Sequence, residues 1–278
     1  MAKTYVGDLP IDAKFMAQRL VKKTLSSLID PMLREIHRLR GKRVVHLLHI
    51  GKTGGTAVKH ALKPYPATAR YVIKRHGHRQ TLREIPPGDG VMFFLRDPLN
   101  RFVSGFNSRL RRGQPRFFNP WTKDEEAAFT RFDTPNSLAL ALSSADEEER
   151  SGARKAMISI GHVRDSYWKW FDSEDYFLSR LDDMFFIGFQ ENLLQDFENL
   201  KLKLGLPRSV DLPTDDILAH KNPVHFDNTL DSRAVENLTD WYREDIEFFA
   251  QCKNYAERVN QVDREFAAVG DQACGVDK

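Results

Sequence analysis

Residues 44–56, VVHLLHIGKTGGT, decide the fold predicted for this chain. The run from Val44 to Ile50 is rich in apolar and β-branched residues and stops at a glycine and threonine cluster, as a buried parallel strand does. A predicted helix from Thr56 to Leu62 follows it. Glycines in such a loop let backbone N–H groups converge on one point, where the positive helix end and Lys52 also favour an anion. The segment therefore predicts a phosphate-binding loop.

The rest of the chain continues this alternation of strand and helix. We predict strands at Tyr71–Lys74, Val91–Leu95 and Asp183–Phe189. The helices predicted between and after the strands are Pro98–Arg109, Pro135–Leu142, Glu147–Ile160, Glu191–Leu204 and a last one over Leu230–Phe249. This order is typical of an α/β fold, and we expect one domain with a mainly parallel central sheet flanked by helices. In such sheets ligands bind beyond the carboxyl ends of the strands.

Composition limits the class of protein. The 278 residues are 41% hydrophobic and 29% charged, enough apolar material for a core. No apolar run approaches the roughly 20 residues that a membrane-spanning helix needs. The two cysteines, Cys252 and Cys274, provide neither a disulfide framework nor a zinc site. We therefore expect a cytoplasmic protein that requires no metal.

The charged residues are distributed unevenly along the chain. Residues 1–120 contain 24 Lys and Arg against 7 Asp and Glu, a net +17, and residues 121–278 carry a net −14. A polyanionic ligand bound by the first part would explain the division, and we expect no nucleic acid. Packing of the two parts against each other is the alternative.

The two ends of the chain differ from its middle. We expect an amphipathic helical extension over residues 1–42, the α/β domain over 43–250 and a tail over 251–278. Apolar residues at helical spacing over 11–40 predict the helix. It could pack on its own domain or touch a membrane surface.

A second phosphate motif follows the predicted strand Val91–Leu95. Arg96 ends the strand, Asp97 and Pro98 suit the start of a helix, and Ser104 lies about two turns into it. A guanidinium and a hydroxyl so placed can hold one phosphate group. A salt bridge of Arg96 with a carboxylate is the structural alternative.

The two motifs together resemble those of sulfotransferases that use 3′-phosphoadenosine 5′-phosphosulfate (PAPS). The first loop is similar to their 5′-phosphosulfate loop, especially in the carbohydrate branch that includes heparan sulfate 6-O-sulfotransferases. The second matches their 3′-phosphate motif, Arg-x-Pro-x-x-Arg-x-x-Ser, from Arg96 through Arg101 to Ser104. A nucleoside-triphosphatase loop would need glycine where His46 stands.

The resemblance implies a binding site for PAPS, and for its product PAP, within the two motifs. The residues that it implies for the donor are Gly51, Lys52, Thr53, Gly54, Gly55, Thr56, Arg96 and Ser104. It implies that Lys52 stabilises the leaving phosphate. In the carbohydrate branch a catalytic histidine lies between the motifs, so we expect His78 as base, with His76 as the alternative.

The acceptor is expected to be a hydroxyl, on a saccharide or glycoconjugate. A basic and aromatic stretch after the second motif could bind an anionic saccharide, or could be a solvated turn with aromatics in the core. Its residues are Arg109, Arg111, Arg112, Arg116, Phe117, Phe118 and Trp121. Two other functions remain open, a nucleotide kinase or related phosphotransferase and a non-catalytic PAP-binding module.

Overall fold

A parallel sheet is the centre of the protein, whose computed structural model describes residues 29–115, 117–214 and 228–261. In these ranges it has four strands in the order β2-β1-β3-β4. They are β1 (Arg43–Leu47), β2 (Tyr71–Arg75), β3 (Gly90–Leu95) and β4 (Met184–Phe189). All three strand pairs are parallel, which confirms the predicted α/β fold with a parallel sheet.

Helices cover both faces of the sheet. A helical segment, α1, occupies residues 29–39. The others are α2 (Gly55–Ala61), α3 (Pro98–Leu110), α4 (Lys123–Arg131), α5 (Pro135–Ala141), α6 (Glu147–Ser159), α7 (Trp168–Phe171), α8 (Glu174–Ser179), α9 (Leu193–Leu204), α10 (Ser232–Trp241) and α11 (Arg243–Gln261). Short 3₁₀ turns lie at Leu82–Glu84, Leu181–Asp183 and Gln190–Asn192.

The central strands are buried on both faces. On β3, Met92 and Phe94 pack with α2 and α9, whereas Val91, Phe93 and Leu95 pack with α7, α8 and α11. Alternation of side chains along a strand sends successive residues into different cores. A third cluster joins α3, α4, α5, α6 and α10 beside the sheet. The three clusters together pack against both faces of the sheet and stabilise the helices beside it.

Two predicted boundaries were wrong. The first strand was expected to reach Ile50 but ends at Leu47, where its neighbour β2 also ends at Arg75. Beyond it the amide of Leu48 still donates to the carbonyl of Met92 at 2.9 Å before the chain turns. The predicted helix over Leu230–Phe249 is instead two helices, separated at Tyr242.

Helix α4 was not predicted, although its sequence contains a helix start. Thr122 and Glu125 form a capping box in which the Thr122 hydroxyl accepts from the Glu125 amide and the Glu125 carboxylate accepts from the Thr122 amide. That spacing is a recognised start motif. Neither interpretation of the neighbouring aromatic stretch, as a saccharide site or as a solvated turn, included this helix.

Some predictions fall outside the described residues. Most of the helix predicted over residues 11–40 does, and so does most of the tail predicted over residues 251–278. The last helix continues to Gln261 and buries Cys252 and Ala256 in the core. No helix in the described ranges is long and apolar enough to cross a membrane.

Candidate active site

A cavity of about 1600 Å³ opens at the carboxyl edge of the sheet. Segments that follow all four strands line it, because parallel strands deliver their ends to one edge. The chemically relevant lining residues are His49, Lys52, Gly54, Gly55, Thr56, Lys59, His60, Lys63, Arg75, His78, Arg96, Ser104, His162 and Glu191. Both phosphate motifs therefore face one space.

Two of the expected donor residues lie beneath the cavity wall. Gly51 and Thr53 are buried and do not line the cavity. The Thr53 hydroxyl donates to the carbonyl of Ile50 at 3.1 Å, and the carbonyl of Gly51 accepts from Arg101 at 3.2 Å. These bonds stabilise the conformation of the loop at Gly51 and Thr53, while the other loop residues face the cavity.

The loop depends on glycine at two positions. Gly54 precedes α2 as its N-cap with φ of 80°, a left-handed conformation that glycine adopts without strain. At Gly55 an added Cβ would lie 2.7 Å from Cδ2 of His49. The absence of a side chain lets the loop backbone lie against an imidazole ring.

Lys52 combines a cavity position with an unusual proton affinity. Its backbone has φ of 70°, which is uncommon for a residue with a side chain. Burial lowers its pKa to about 7, and the charges of Arg111 and Arg96 add to the effect. An anion bound beside Lys52 would favour its charged form.

Arg96 and Ser104 face the same cavity from β3 and α3. Arg96 has a buried Nε that makes no hydrogen bond to any described residue, and burial lowers its pKa. Its backbone is held by the hydroxyl of Tyr167, which donates to the Arg96 carbonyl. An unsatisfied guanidinium N–H in a cavity suits an oxyanion, so these residues fit a phosphate.

Helix α3 begins as its sequence indicates. The Asp97 carboxylate accepts from the Asn100 amide at 3.0 Å, and Pro98 occupies the first turn. The start of α3 fixes where its later turns face. Ser104, only 4% exposed, lies two turns later in the cavity wall.

The two candidate bases have different surroundings. His78 lines the cavity, and burial lowers its pKa. His76 is not among the lining residues, and its Nε2 lies 2.8 Å from Nδ1 of His46, whose other nitrogen is 3.0 Å from Asp89. Burial lowers the pKa of His76 to about 4. A neutral imidazole in the cavity can accept a proton, and His78 has that position.

Three histidines that the sequence interpretation did not select, His49, His60 and His162, also line the cavity. The His49 ring centroid lies 3.8 Å from that of His78, and its Nε2 is 3.4 Å from the Thr56 hydroxyl. His162 lies 6.3 Å from His78 between ring centroids, and burial lowers its pKa to about 3. Adjacency to the loop in the sequence could have indicated His49; nothing local indicated His162.

Arg101, the third fixed residue of the second motif, supports the loop from below. It is 2% exposed, donates to the Gly51 carbonyl and pairs with Asp245 at 3.4 Å. Its guanidinium carbon also lies 4.7 Å from the ring centroid of Tyr167. This arginine connects the two phosphate motifs through the protein interior.

The basic and aromatic stretch is mostly structural where it is described. Arg109 is buried in a bidentate pair with Glu125, with both distances 2.7 Å, and this pairing holds the pKa of Glu125 at about 2 against the effect of burial. The Trp121 indole donates to the Arg109 carbonyl, and Arg112 lies 4.0 Å from the Trp121 ring centroid. Of this stretch Phe117 lines the cavity. Arg116 lies outside the described residues.

Comparison with models of known protein families identifies the family of this chain. The model of the protein family described as "Sulfotransferase family" matches residues 20–251. The match spans both phosphate motifs and every wall of the cavity. No curated protein matches the chain significantly.

Proposed function

Because this chain belongs to the sulfotransferase family, we propose that it transfers a sulfuryl group from PAPS to a hydroxyl of a carbohydrate acceptor. The family establishes sulfuryl transfer as the chemistry. The donor, the acceptor class and the residue roles are the proposal. Similarity of the first loop to the heparan sulfate 6-O branch supports a saccharide, and the low cysteine count supports a cytoplasmic location.

One observation carries the proposal. The glycine loop, Arg96, Ser104 and His78 line a single cavity. A doubly phosphorylated adenosine needs anion-binding groups at two separated points, and a transfer reaction needs a base beside one of them. The residues that line this cavity provide a candidate for each of the three.

The residues divide the binding work between the two ends of the donor. Lys52, Gly54, Gly55 and Thr56 would hold the 5′-phosphosulfate, while Gly51 and Thr53 shape the loop from beneath. Arg96 and Ser104 would hold the 3′-phosphate, and the free Nε of Arg96 fits that role. PAPS supplies an activated sulfuryl group when bound there.

Lys52 and His78 then perform complementary tasks. His78 takes the proton of the acceptor hydroxyl as the new oxygen–sulfur bond forms. Lys52 donates a hydrogen bond to the bridging oxygen as its bond to sulfur breaks, which stabilises the charge on the departing phosphate. A neutral imidazole and a charged ammonium are needed at once.

Transfer of radiolabelled sulfate from PAPS to a panel of oligosaccharides tests this proposal. We expect labelled product from wild type and none from Lys52→Ala, which should still bind PAP because glycine amides and Arg96 remain. Normal turnover in Lys52→Ala would contradict the leaving-group role. PAP binding without transfer to any acceptor would instead indicate a non-catalytic binding module.

Arg96→Ala provides the second arm of that experiment. Loss of one charge-assisted contact should weaken the binding of PAP by about 1.5–3 kcal/mol. The affinity for adenosine 5′-phosphosulfate, which lacks the 3′-phosphate, should fall far less. Equal losses for both ligands would show that Arg96 does not bind the 3′-phosphate.

A further inference from the structure

We propose that Lys59 and Arg75 form a subsite for an anionic group of the acceptor. The subsite would lie on the side of the phosphate loop opposite to Arg96 and Ser104. This inference rests on the proposed function and adds to it a property of the substrate, a negative charge near the reacting hydroxyl.

The strand order separates two halves of the cavity. The phosphate loop follows β1, which lies between β2 and β3 in the sheet. Arg96 and Ser104 come from the β3 side, whereas Arg75 and His78 come from the end of β2 and the segment after it. A donor that spans the loop and Arg96 leaves the β2 side for the acceptor, where the proposed base lies.

Lys59 and Arg75 both lie on this side, close enough for the charge of Arg75 to act on Lys59. Lys59, on α2, donates to the carbonyl of His76 at 2.9 Å, which directs its side chain toward the end of β2. Arg75 is the last residue of β2, and its buried Nε makes no hydrogen bond to a described residue. Both side chains line the cavity and are partly buried.

The charge on this side is uncompensated by the lining residues. Burial lowers the pKa of Lys59, and the charge of Arg75 lowers it further. The only carboxylate among the described lining residues is Glu191, which follows β4 on the donor side. The two neighbouring cations repel each other in a partly desolvated wall. An anion bound between them would attract both and offset this repulsion.

The chemistry of the pair indicates the class of group. A guanidinium suits planar or tetrahedral oxyanions, and an ammonium adds a point charge. A carboxylate or sulfate ester of an acidic saccharide fits this pair, with the reacting hydroxyl near His78, three residues after Arg75. Within the expected arginine-rich stretch, Arg109 does not serve here, since it is paired with Glu125.

Matched acceptor pairs test the subsite. Transfer from PAPS is measured for hexuronate oligosaccharides and their carboxyl-reduced forms, and for sulfated oligosaccharides and their desulfated forms. In one of these two series, the wild-type kcat/KM should be higher for the charged oligosaccharide than for its neutral form. That series identifies the anion as a carboxylate or a sulfate ester. Lys59→Gln and Arg75→Gln should each lower this preference about tenfold. Lys59→Arg keeps the positive charge and should therefore keep most of the preference for the charged oligosaccharide.

Controls separate this result from general damage. Lys123→Gln and Arg154→Gln remove exposed cations on α4 and α6 and should keep the wild-type preference. PAP affinity should be the same in Lys59→Gln as in wild type. A preference unchanged in both subsite variants would overturn the proposal, and so would a loss of PAP affinity as large as the loss of preference.

The proposed function can fail separately. If no acceptor is sulfated, the same oligosaccharides are titrated into the PAP-loaded protein. Binding of the charged members that weakens about tenfold in Lys59→Gln and Arg75→Gln supports the subsite without catalysis. Equal binding of charged and neutral members overturns it.

Discussion

Burial changes the proton affinity of the ionisable residues around this cavity. It lowers the pKa of Lys52 to about 7 and that of His162 to about 3, and it also lowers the pKa of His78. A lowered pKa favours the neutral form of His78, which is the form that a general base requires. For Lys52 the same effect works against the role that we propose for it until an anion binds, so we expect donor binding and protonation of Lys52 to be linked.

The pH dependence of the reaction should show this linkage. The wild-type kcat/KM for PAPS should fall as pH rises through about 7, because the free protein loses the Lys52 charge. The decline in kcat should lie at higher pH, since bound phosphosulfate favours charged Lys52. Lys52→Arg should lack the alkaline decline in both parameters. Steady-state rates from about pH 6.5 to about pH 9.5 measure it, and a flat wild-type profile would contradict it.

The choice between the two histidines can be decided directly. His78→Gln should lower kcat about 100-fold or more through loss of the base. His76→Gln should cost less than about tenfold, because His76 contacts His46 and is not among the lining residues. Single-turnover transfer measures both. Near-normal chemistry in His78→Gln together with a severe loss in His162→Gln or His49→Gln would reassign the base.

At the scale of elements, each strand contributes a distinct part of the site. β1 leads into the glycine loop, β2 into Arg75 and His78, β3 into Arg96, and β4 into the wall around Glu191. The strands must therefore keep their spacing for the two phosphate motifs to face one cavity. Close packing between β3 and β4 is part of that spacing, since Gly188 opposes Phe94 in the ladder.

A side chain at Gly188 should test this packing. A Cβ there would lie 2.4 Å from Cε1 of Phe94, whose ring is buried, so Gly188→Ala should lower the free energy of unfolding by about 1–3 kcal/mol. Gly77→Ala is the control, because nothing lies within 4 Å of its added Cβ. Urea denaturation measures both, and equal stabilities would show that the sheet accommodates the methyl group.

For the whole molecule, buried ion pairs connect segments that are distant in sequence. Asp245 on α11 pairs with Arg101 on α3 and also accepts from the amide of Tyr167 at 2.9 Å. Arg101 in turn holds Gly51, and Tyr167 holds the backbone of Arg96. Both phosphate motifs are thus supported by one carboxylate near the end of the chain.

Removal of that carboxylate should affect stability and donor binding together. Asp245→Ala leaves Arg101 buried without its partner and should lower the free energy of unfolding by about 3–5 kcal/mol. PAP affinity should also fall, because the Gly51 carbonyl loses a fixed donor. Glu236→Ala, in an exposed pair with Arg233, should cost less than about 1 kcal/mol. Denaturation and PAP titration measure these effects, and a stable Asp245→Ala protein with normal affinity would contradict the support role.

The sequence was enough to predict the four parallel strands in chain order and the two motifs that follow β1 and β3, although it missed helices α4, α7 and α8. These features are local, since strand periodicity, the glycine loop and the helix start at Asp97 and Pro98 each depend on neighbours along the chain. The uneven charge was also informative, because all the lysines and arginines among the described lining residues precede residue 97.

Which residues share the cavity depends on how distant parts of the chain pack together. His162 reaches it through the packing of a distant loop, Arg109 is taken out of it by Glu125, and the difference between His76 and His78 depends on His46 and Asp89. Such assignments follow from contacts between residues far apart in the chain. No local pattern encodes them, because burial and charge at a side chain are set by whatever the fold packs beside it.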